Sequence, residues 1–282
     1  MQSENLMDKA QFELNAKLET SHWWFMGRRQ ILRALIEALV PPNAQHKIVD
    51  IGCGTGANIA LLQDAYTCVG IDPSERAIEL ARERFPHTSF LCASQPEDLE
   101  PSYRDAKLYM LCDVLEHVPD DFVLLSTWLS YAQPGSYFLL TVPAEPALWS
   151  KHDQAHGHFR RYTLPRFEHL WTGLPVQTKL LTFFNARLYP LIAMIRRLNQ
   201  WLYRSGREVS SDVTMPHHWI NKVLTSLFAG EQQRLLHTLK GASGYSKGLS
   251  LIALLERRAQ PMQTRTKPDY LAPDTFIPYS YR

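Results

Sequence analysis

Cysteine is scarce in this sequence. There are four, Cys53, Cys68, Cys92 and Cys112, none close enough to another to form a CxxC pair. Three of them lie in or beside apolar, strand-like runs, where the thiol acts as a small hydrophobe. This pattern argues against a disulfide framework or a zinc knuckle and predicts a reducing, cytoplasmic setting. Net charge is also small. Thirty Lys and Arg against 28 Asp and Glu leave +2, too little for the basic field of a nucleic-acid binder. No uncharged apolar run is long enough to span a bilayer. The opening "MQSENLMDKAQFELNAK" is polar and mixed in charge, without the apolar core of a secretion signal. Internal repeats are lacking too. What is present is an ordinary apolar share of 45% in 282 residues, enough for one large domain or a domain with a sizeable insertion.

Residues 4–20 read as a polar helix. In the next helix Ile31, Leu32, Leu35, Ile36 and Leu39 form a stripe, and Pro41-Pro42 stops it. The period then becomes that of buried strands, at 47–51, 67–72, 88–93, 107–114 and 135–143. Helices are expected between them at 57–65, 74–85 and about 120–131, with Ser74 as an N-cap. This alternation predicts an α/β fold with a parallel sheet covered on both faces. Beyond 143 the pattern loosens. A long polar-aromatic loop over 144–163 leads to a short helix at 165–171 and a strand at 176–184. The stretch 185–246 is mostly helical, with positions 188, 191, 192, 195, 198 and 202 on one face. Residues 248–258 form a last apolar strand, and the tail from 259 has little apolar periodicity.

The stretch "KIVDIGCGTGANI", residues 47–59, places Gly52, Gly54 and Gly56 in the turn after a strand that holds Asp50. Glycine permits positive φ and removes Cβ atoms that would keep a ligand off the backbone. Open α/β sheets bind ligands at the carboxyl ends of their strands and at helix N-termini. A second acid, Asp72, closes the next strand, the place from which a carboxylate bonds a ribose diol. Together these predict a nucleoside-like cofactor. A tight turn with incidental glycines would leave Asp72 unexplained.

Both glycine spacings here are two, whereas a dinucleotide fingerprint has two and then three. The loop instead resembles motif I of class I S-adenosylmethionine-dependent methyltransferases, (V/L)(L/V)D(I/L)GCGTG. The resemblance covers roughly residues 45–145. It implies a Rossmann-like seven-stranded sheet with N-terminal helices, a helical insert before the last strand, and the last two strands antiparallel. It implies S-adenosyl-L-methionine as the cofactor. By the same resemblance Asp50, Gly52, Cys53, Gly54, Thr55 and Gly56 pass beside the methionine part, and Asp72 binds the ribose hydroxyls. Ser94 and Gln95 in "CASQPEDL" meet the adenine, although the family often has Asp where Ser94 stands. The stretch "CDVLEHVPD" puts Cys112 and Asp113 at the methionine end and Leu115 and His117 near the transfer site. Three further features resemble a narrower set of bacterial methyltransferases. They are "HWWF…RR" near the N-terminus, a "SxHDxxxGHxRRYT" loop, and a helical insert before a "GxSLxAL" strand.

Methyl transfer to a hydroxyl or amine needs alignment, exclusion of water and removal of a proton. His117 and the loop residues His152, Asp153, His156 and His158 supply imidazoles at the carboxyl edge of the sheet. The catalytic candidates are His152, His158 and His117, with Asp153 orienting a ring and His152 ranked first. Arg160 and Arg161 would bind an anionic substrate group or pin the loop, and Tyr162 would contact cofactor or substrate. The loop could also be a solvated surface without a role. Its histidines and Asp153 are metal-ligand types, but the spacing matches no standard metal motif, so no metal is expected. Trp23 and Trp24 would staple the N-terminal helix to the sheet or form a lid, with Trp24, His22 and Arg28 near the cofactor. The helix over 187–204, with Arg187, Arg196, Arg197 and Arg204, would be buried or rest on a membrane surface.

The expected organisation is a helical cap over 1–44, a cofactor-binding core over 45–184, an insert or lid over 185–246, a last core strand over 247–258 and a tail over 259–282. The expected activity is transfer of a methyl group from S-adenosyl-L-methionine to oxygen or nitrogen of a small biosynthetic intermediate, without a nucleic-acid partner. Homodimerisation is left open. Rival readings are a nicotinamide-dependent reductase, a non-catalytic cofactor-binding module and an RNA methyltransferase.

Overall fold

The computed structural model describes residues 9–204 and 215–262. The strands are β1 (Lys47–Ile51), β2 (Thr67–Asp72), β3 (Ser89–Cys92), β4 (Leu108–Cys112), β5 (Tyr137–Pro143), β6 (Val176–Phe184) and β7 (Ser250–Arg257). They form one seven-stranded sheet in the order β3-β2-β1-β4-β5-β7-β6. β1 to β5 pair in parallel, while β7 runs antiparallel to both β5 and β6. The last two strands are therefore antiparallel to each other, and β6 points the same way as β1 to β5. This is the seven-stranded Rossmann-like sheet that the glycine motif implied. Strands such as "KIVDI" are buried along nearly their whole length because helices cover both faces of a parallel sheet.

The helices are α1 (Lys9–Leu18), α2 (Trp23–Leu39), α3 (Ala57–Ala60), α4 (Glu75–Arg84), α5 (Asp121–Tyr131), α6 (Lys151–Ala155), α7 (Leu164–His169), α8 (Tyr189–Arg204), α9 (His218–Ala229) and α10 (Gln232–Leu239). Side chains alternate across the sheet into two cores. Val49, Ile51, Tyr109, Leu111, Phe138 and Leu140 face Trp128 of α5 and Phe167 of α7. Ile48, Leu108, Met110 and Leu139 face Ile31 and Leu35 of α2, Ile78 of α4 and Phe228 of α9. The α2 stripe is buried as its period predicts, and Ser74 caps α4 by accepting from the Ala77 amide.

Several boundaries differ from the pattern. The expected helix over 57–65 closes after Ala60 into turns. The loop over 144–163 contains α6, whose capping box uses Ser150 and Asp153. The apolar stripe expected on 188–202 splits. Leu188 is buried and Ile192 packs against the core, while Leu191, Ile195 and Leu198 stay 44–53% exposed. The side chains of Arg197, Leu202 and Arg204, the start of the helix expected from residue 4, and nearly all of the tail expected from 259 lie outside the described residues.

The helices between β6 and β7 return to the N-terminal end of the chain. Asn221 of α9 accepts from the Trp23 amide at 2.8 Å and donates to the Ser21 carbonyl at 2.7 Å. Trp23 meets Phe228 edge-on, as a staple would. Gly27 lets the two helices close, because a Cβ there would lie 2.8 Å from Phe228 Cδ1. Gly27→Val is therefore expected to destabilise the protein by about 1–3 kcal/mol through overpacking. Urea denaturation measures this, and an unchanged midpoint would show that α9 carries little of the fold.

Candidate active site

β1, β4 and β5 are parallel, so the segments that follow them meet on one edge. After β1 the chain turns through Gly52, Gly54 and Gly56, all at positive φ between 54° and 88°. A Cβ on Gly52 would fall 2.7 Å from Val114 Cγ2, and one on Gly56 would strike Phe90. At Gly54 it would meet nothing, so the loop presents bare backbone there. Asp72 ties this loop to α4: its Oδ2 accepts from Gly54 N and its Oδ1 from Ser74 N, both at 2.9 Å. Each oxygen keeps a further lone pair. Burial raises its pKa, against those two amides. Thr55 donates to Glu19 Oε1 at 2.7 Å, and Arg84 pairs with the same carboxylate. These bonds hold the end of the N-terminal segment over the loop.

Deeper in, Arg28 of α2 forms a 2.9 Å ion pair with Asp113 and reaches Thr141 Oγ1 at 3.4 Å. Burial opposes its charge, but Asp113, Cys112, Asp50 and Glu116 together raise its pKa. Trp24 lies 4.9 Å from the guanidinium in a cation–π contact. Asp113 sits at φ 58°, a conformation that few non-glycine residues adopt. Asp50 is buried, and burial pushes its pKa up to about 7 although Arg28 draws it down. Burial also raises the thiol of Cys53 far above its usual value and that of Cys112 to about 12, so neither thiol is a nucleophile. His22 caps α2 by accepting from the Trp24 amide. Ser94 and Gln95 are exposed beyond β3 and give both backbone amides to Asp98 Oδ2, so neither amide is left for adenine.

The third segment brings the imidazoles in. His158 Nδ1 lies 2.9 Å from Asp153 Oδ1. Asp153 is fully buried, and Arg161 Nε donates to the same oxygen at 2.8 Å. Burial acts to raise Asp153, but Arg161 and His158 take it well below the carboxylate range. His158 meets His117 edge-on, 4.6 Å between ring centres. Glu116 completes the group: ligand atoms of Glu116, His117 and His158 all lie within 4.8 Å of one another. Burial lowers His117 to about 3, helped by His158 and His156, and holds His152 well below its usual value. Both rings are therefore neutral at physiological pH. Asp153 thus orients His158, whereas His152 lies tilted against His156, 3.9 Å between ring centres. Arg196 of α8 lies close enough to act electrostatically on His152 and Asp153, which puts α8 beside this group.

Of the two roles open to Arg160 and Arg161, their contacts favour pinning the loop, whereas the reading of Tyr162 is corrected. Arg160 donates to the carbonyls of Leu115, Val118 and Pro119, so it pins the loop. Arg161 pins it likewise, bonding Asp153 and the Ala144 carbonyl. Tyr162 is fully buried, with its hydroxyl on Asp121 Oδ2 at 2.8 Å, and has no surface for cofactor or substrate. Sequence reasoning passed over Glu116, Thr141, Glu19 and Asp121. Only Glu116 left a signal, as the neighbour of His117.

The residues fit the expected cofactor. Among buried polar atoms, Asp50 Oδ2 and Arg28 Nε lack a hydrogen-bond partner. An open acceptor and an open donor on two residues that act on each other electrostatically match an α-amino acid end, with its ammonium and carboxylate. Bare backbone at Gly54 and spare lone pairs on Asp72 match a nucleoside that approaches closely. Asp72→Ala is expected to weaken S-adenosylhomocysteine binding at least about tenfold, since charge-assisted bonds contribute about 1.5–3 kcal/mol each. Titration calorimetry measures it, and unchanged affinity would remove Asp72 from the cofactor site.

Fold and site together are those of a nucleoside-cofactor-binding α/β protein, and residues 25–188 match the family described as a methyltransferase domain. The chain belongs to that family, and its cofactor is S-adenosylmethionine. Over 109 residues it is 30% identical to trans-aconitate 2-methyltransferase of Rhodopseudomonas palustris, covering 38% of this chain and 42% of the relative. Over 144 residues it is 26% identical to the ubiquinone biosynthesis O-methyltransferase of Coxiella burnetii, covering 47% and 61%. The chain thus spans less than two thirds of the length of these curated relatives. The plantazolicin methyltransferase BpumL, solved with a desmethylplantazolicin analogue and S-adenosylhomocysteine, has the same fold. The TM-score is 0.53 at 17% identity, over 88% of this chain and 90% of that one. No described helix is long and apolar enough to cross a membrane.

Proposed function

We propose that the protein methylates an oxygen or nitrogen of a small biosynthetic intermediate, bound between the Arg28–Asp113 pair and the Glu116–His117–His158 cluster. The observation that carries this reading is the cluster itself. Three proton-handling side chains converge on the edge that holds the glycine loop, where an acceptor must lose a proton as it is methylated. The names of the two curated relatives, trans-aconitate and ubiquinone biosynthesis methyltransferases, support a small acceptor. S-adenosylmethionine supplies the electrophilic methyl group and its leaving group when bound. Asp50 and Arg28 hold its amino-acid end, and Asp72 holds its ribose. The cluster takes up the acceptor's proton, with Asp153 fixing the His158 ring.

Helices α8 to α10 and the N-terminal segment serve as lids that exclude water. α8 borders the cluster, and Glu19 and Trp24 lie over the cofactor side. The exposed apolar residues of α8 are the surface on which a membrane or a second copy would rest. Incubation with methyl-labelled cofactor and a cell extract tests the substrate class. Label is expected in the low-mass fraction, and label confined to RNA or protein would overturn the reading.

A further inference from the structure

We propose that Glu116, His117 and His158 form a binding site for one divalent first-row transition-metal ion, such as Zn²⁺ or Mn²⁺. Their ligand atoms lie within 4.8 Å of one another. Small side-chain rotations bring such a set onto an ion that is bound at about 2.0–2.2 Å. The donors are two imidazoles and one carboxylate. Mixed nitrogen and oxygen ligation suits zinc, manganese or iron, whereas magnesium and calcium favour oxygen alone.

Three independent features point to an ion. First, Glu116 Oε2 is buried without a hydrogen-bond partner. The nearby cation, Arg28, acts on it electrostatically but puts its two terminal nitrogens on Asp113 and Thr141 instead. Second, His158 already has its Nδ1 on Asp153. That leaves Nε2 for a ligand, in the carboxylate–histidine arrangement that orients metal-bound imidazoles. Asp153 is itself fixed by Arg161 and by the Ser150 amide at 2.8 Å. Third, His117 shares a hydrogen bond with the backbone of His156, which leaves one ring nitrogen for an ion. Each imidazole thus has one nitrogen occupied and a second left to bind an ion. Three protein ligands leave coordination positions for an acceptor oxygen.

The inference rests on the acceptor site proposed above and changes one step. His158 acts as a ligand, and the ion lowers the acceptor hydroxyl's pKa so that its proton passes to solvent. The oxygen then forms its bond to the methyl carbon as the carbon–sulfur bond breaks, and the electron pair leaves with sulfur.

The test uses the full chain, stripped with a chelator and titrated with Zn²⁺ and with Co²⁺ by calorimetry and visible absorption. One site of micromolar affinity or tighter is expected. Glu116→Gln and His117→Ala should weaken it at least tenfold while S-adenosylhomocysteine affinity, read in parallel, reports an intact fold. Failure of the wild-type protein to bind either ion overturns the metal site, and so does equal affinity in the variants. If no ion binds and His158→Ala still abolishes turnover, the acceptor site stands and the ion does not. If the ion binds as expected and His158→Ala turns over normally, the metal site stands and the acceptor site is wrong.

Discussion

His158→Ala is expected to cut methyl transfer by roughly 10²–10⁴-fold, the usual contribution of a group that moves a proton in the transition state. S-adenosylhomocysteine affinity should stay near that of the wild type, because no contact of His158 reaches the glycine loop, Asp72 or Arg28. Two features give this residue its weight. Its Nδ1 is bonded to a carboxylate that is itself fully buried and paired with Arg161. Its ring also lies against His117 on the edge where β4 and β5 end. His152 is closer in sequence to the end of β5, but it has neither feature. His152→Ala should therefore cost much less turnover. The comparison is made with the two variants side by side, using the accepted small molecule and measuring turnover and cofactor affinity. Equal, small losses in both would show that acceptor alignment alone carries the reaction.

Asp121→Ala is expected to destabilise the fold by about 3–5 kcal/mol, the cost of breaking a buried ion pair from one side. The Asp121 carboxylate is 1% exposed. Its Oδ2 accepts from Tyr162 at 2.8 Å, pairs with Arg166 at 3.0 Å, and has Arg160 at 3.7 Å. Removal takes away the carboxylate that two guanidiniums and a phenol all face. The carbonyls that also hold Arg160 soften the loss without neutralising its charge. Asp121 starts α5, whereas Arg160 to Arg166 follow the histidine loop, so the same change should loosen the loop that positions His158. Urea denaturation gives the stability term, and amide exchange over residues 150–163 gives the local one. A variant as stable as the wild type, with the loop equally protected, would show that Arg160 and Tyr162 are held by other contacts.

The sheet was legible because its strands are apolar runs separated by helical periods. Residues 176–184 match β6 to the residue. The direction of β6 relative to the other strands was not visible, because direction is set by the helical connection and not by the strand's own residues. The glycine loop announced the cofactor because Gly52, Gly54 and Gly56 all require positive φ, and a backbone requirement leaves a residue-specific mark. The acceptor side was harder to read. Glu116 and His117 stand some forty positions from His158, and only the parallel alignment of β4 and β5 brings them together. Sequence spacing within the loop gave no metal pattern because two of the three proposed ligands come from elsewhere. Tyr162 misled for a related reason. Aromaticity at the end of a polar loop looks like a substrate contact, until the carboxylate of Asp121 is seen to take the phenol inward, as the carbonyls of Leu115, Val118 and Pro119 take Arg160.

Two buried atoms, Asp50 Oδ2 and Arg28 Nε, lack partners and are assigned to the amino-acid end of the cofactor. Calorimetric titration of the wild-type chain with S-adenosylhomocysteine and with 5′-methylthioadenosine tests this directly, since the second ligand keeps the nucleoside and lacks the amino and carboxyl groups. Two charge-assisted contacts of about 1.5–3 kcal/mol each predict that S-adenosylhomocysteine binds at least about a hundredfold more tightly. Equal affinity for the two ligands would contradict the assignment and place the cofactor's charged end elsewhere.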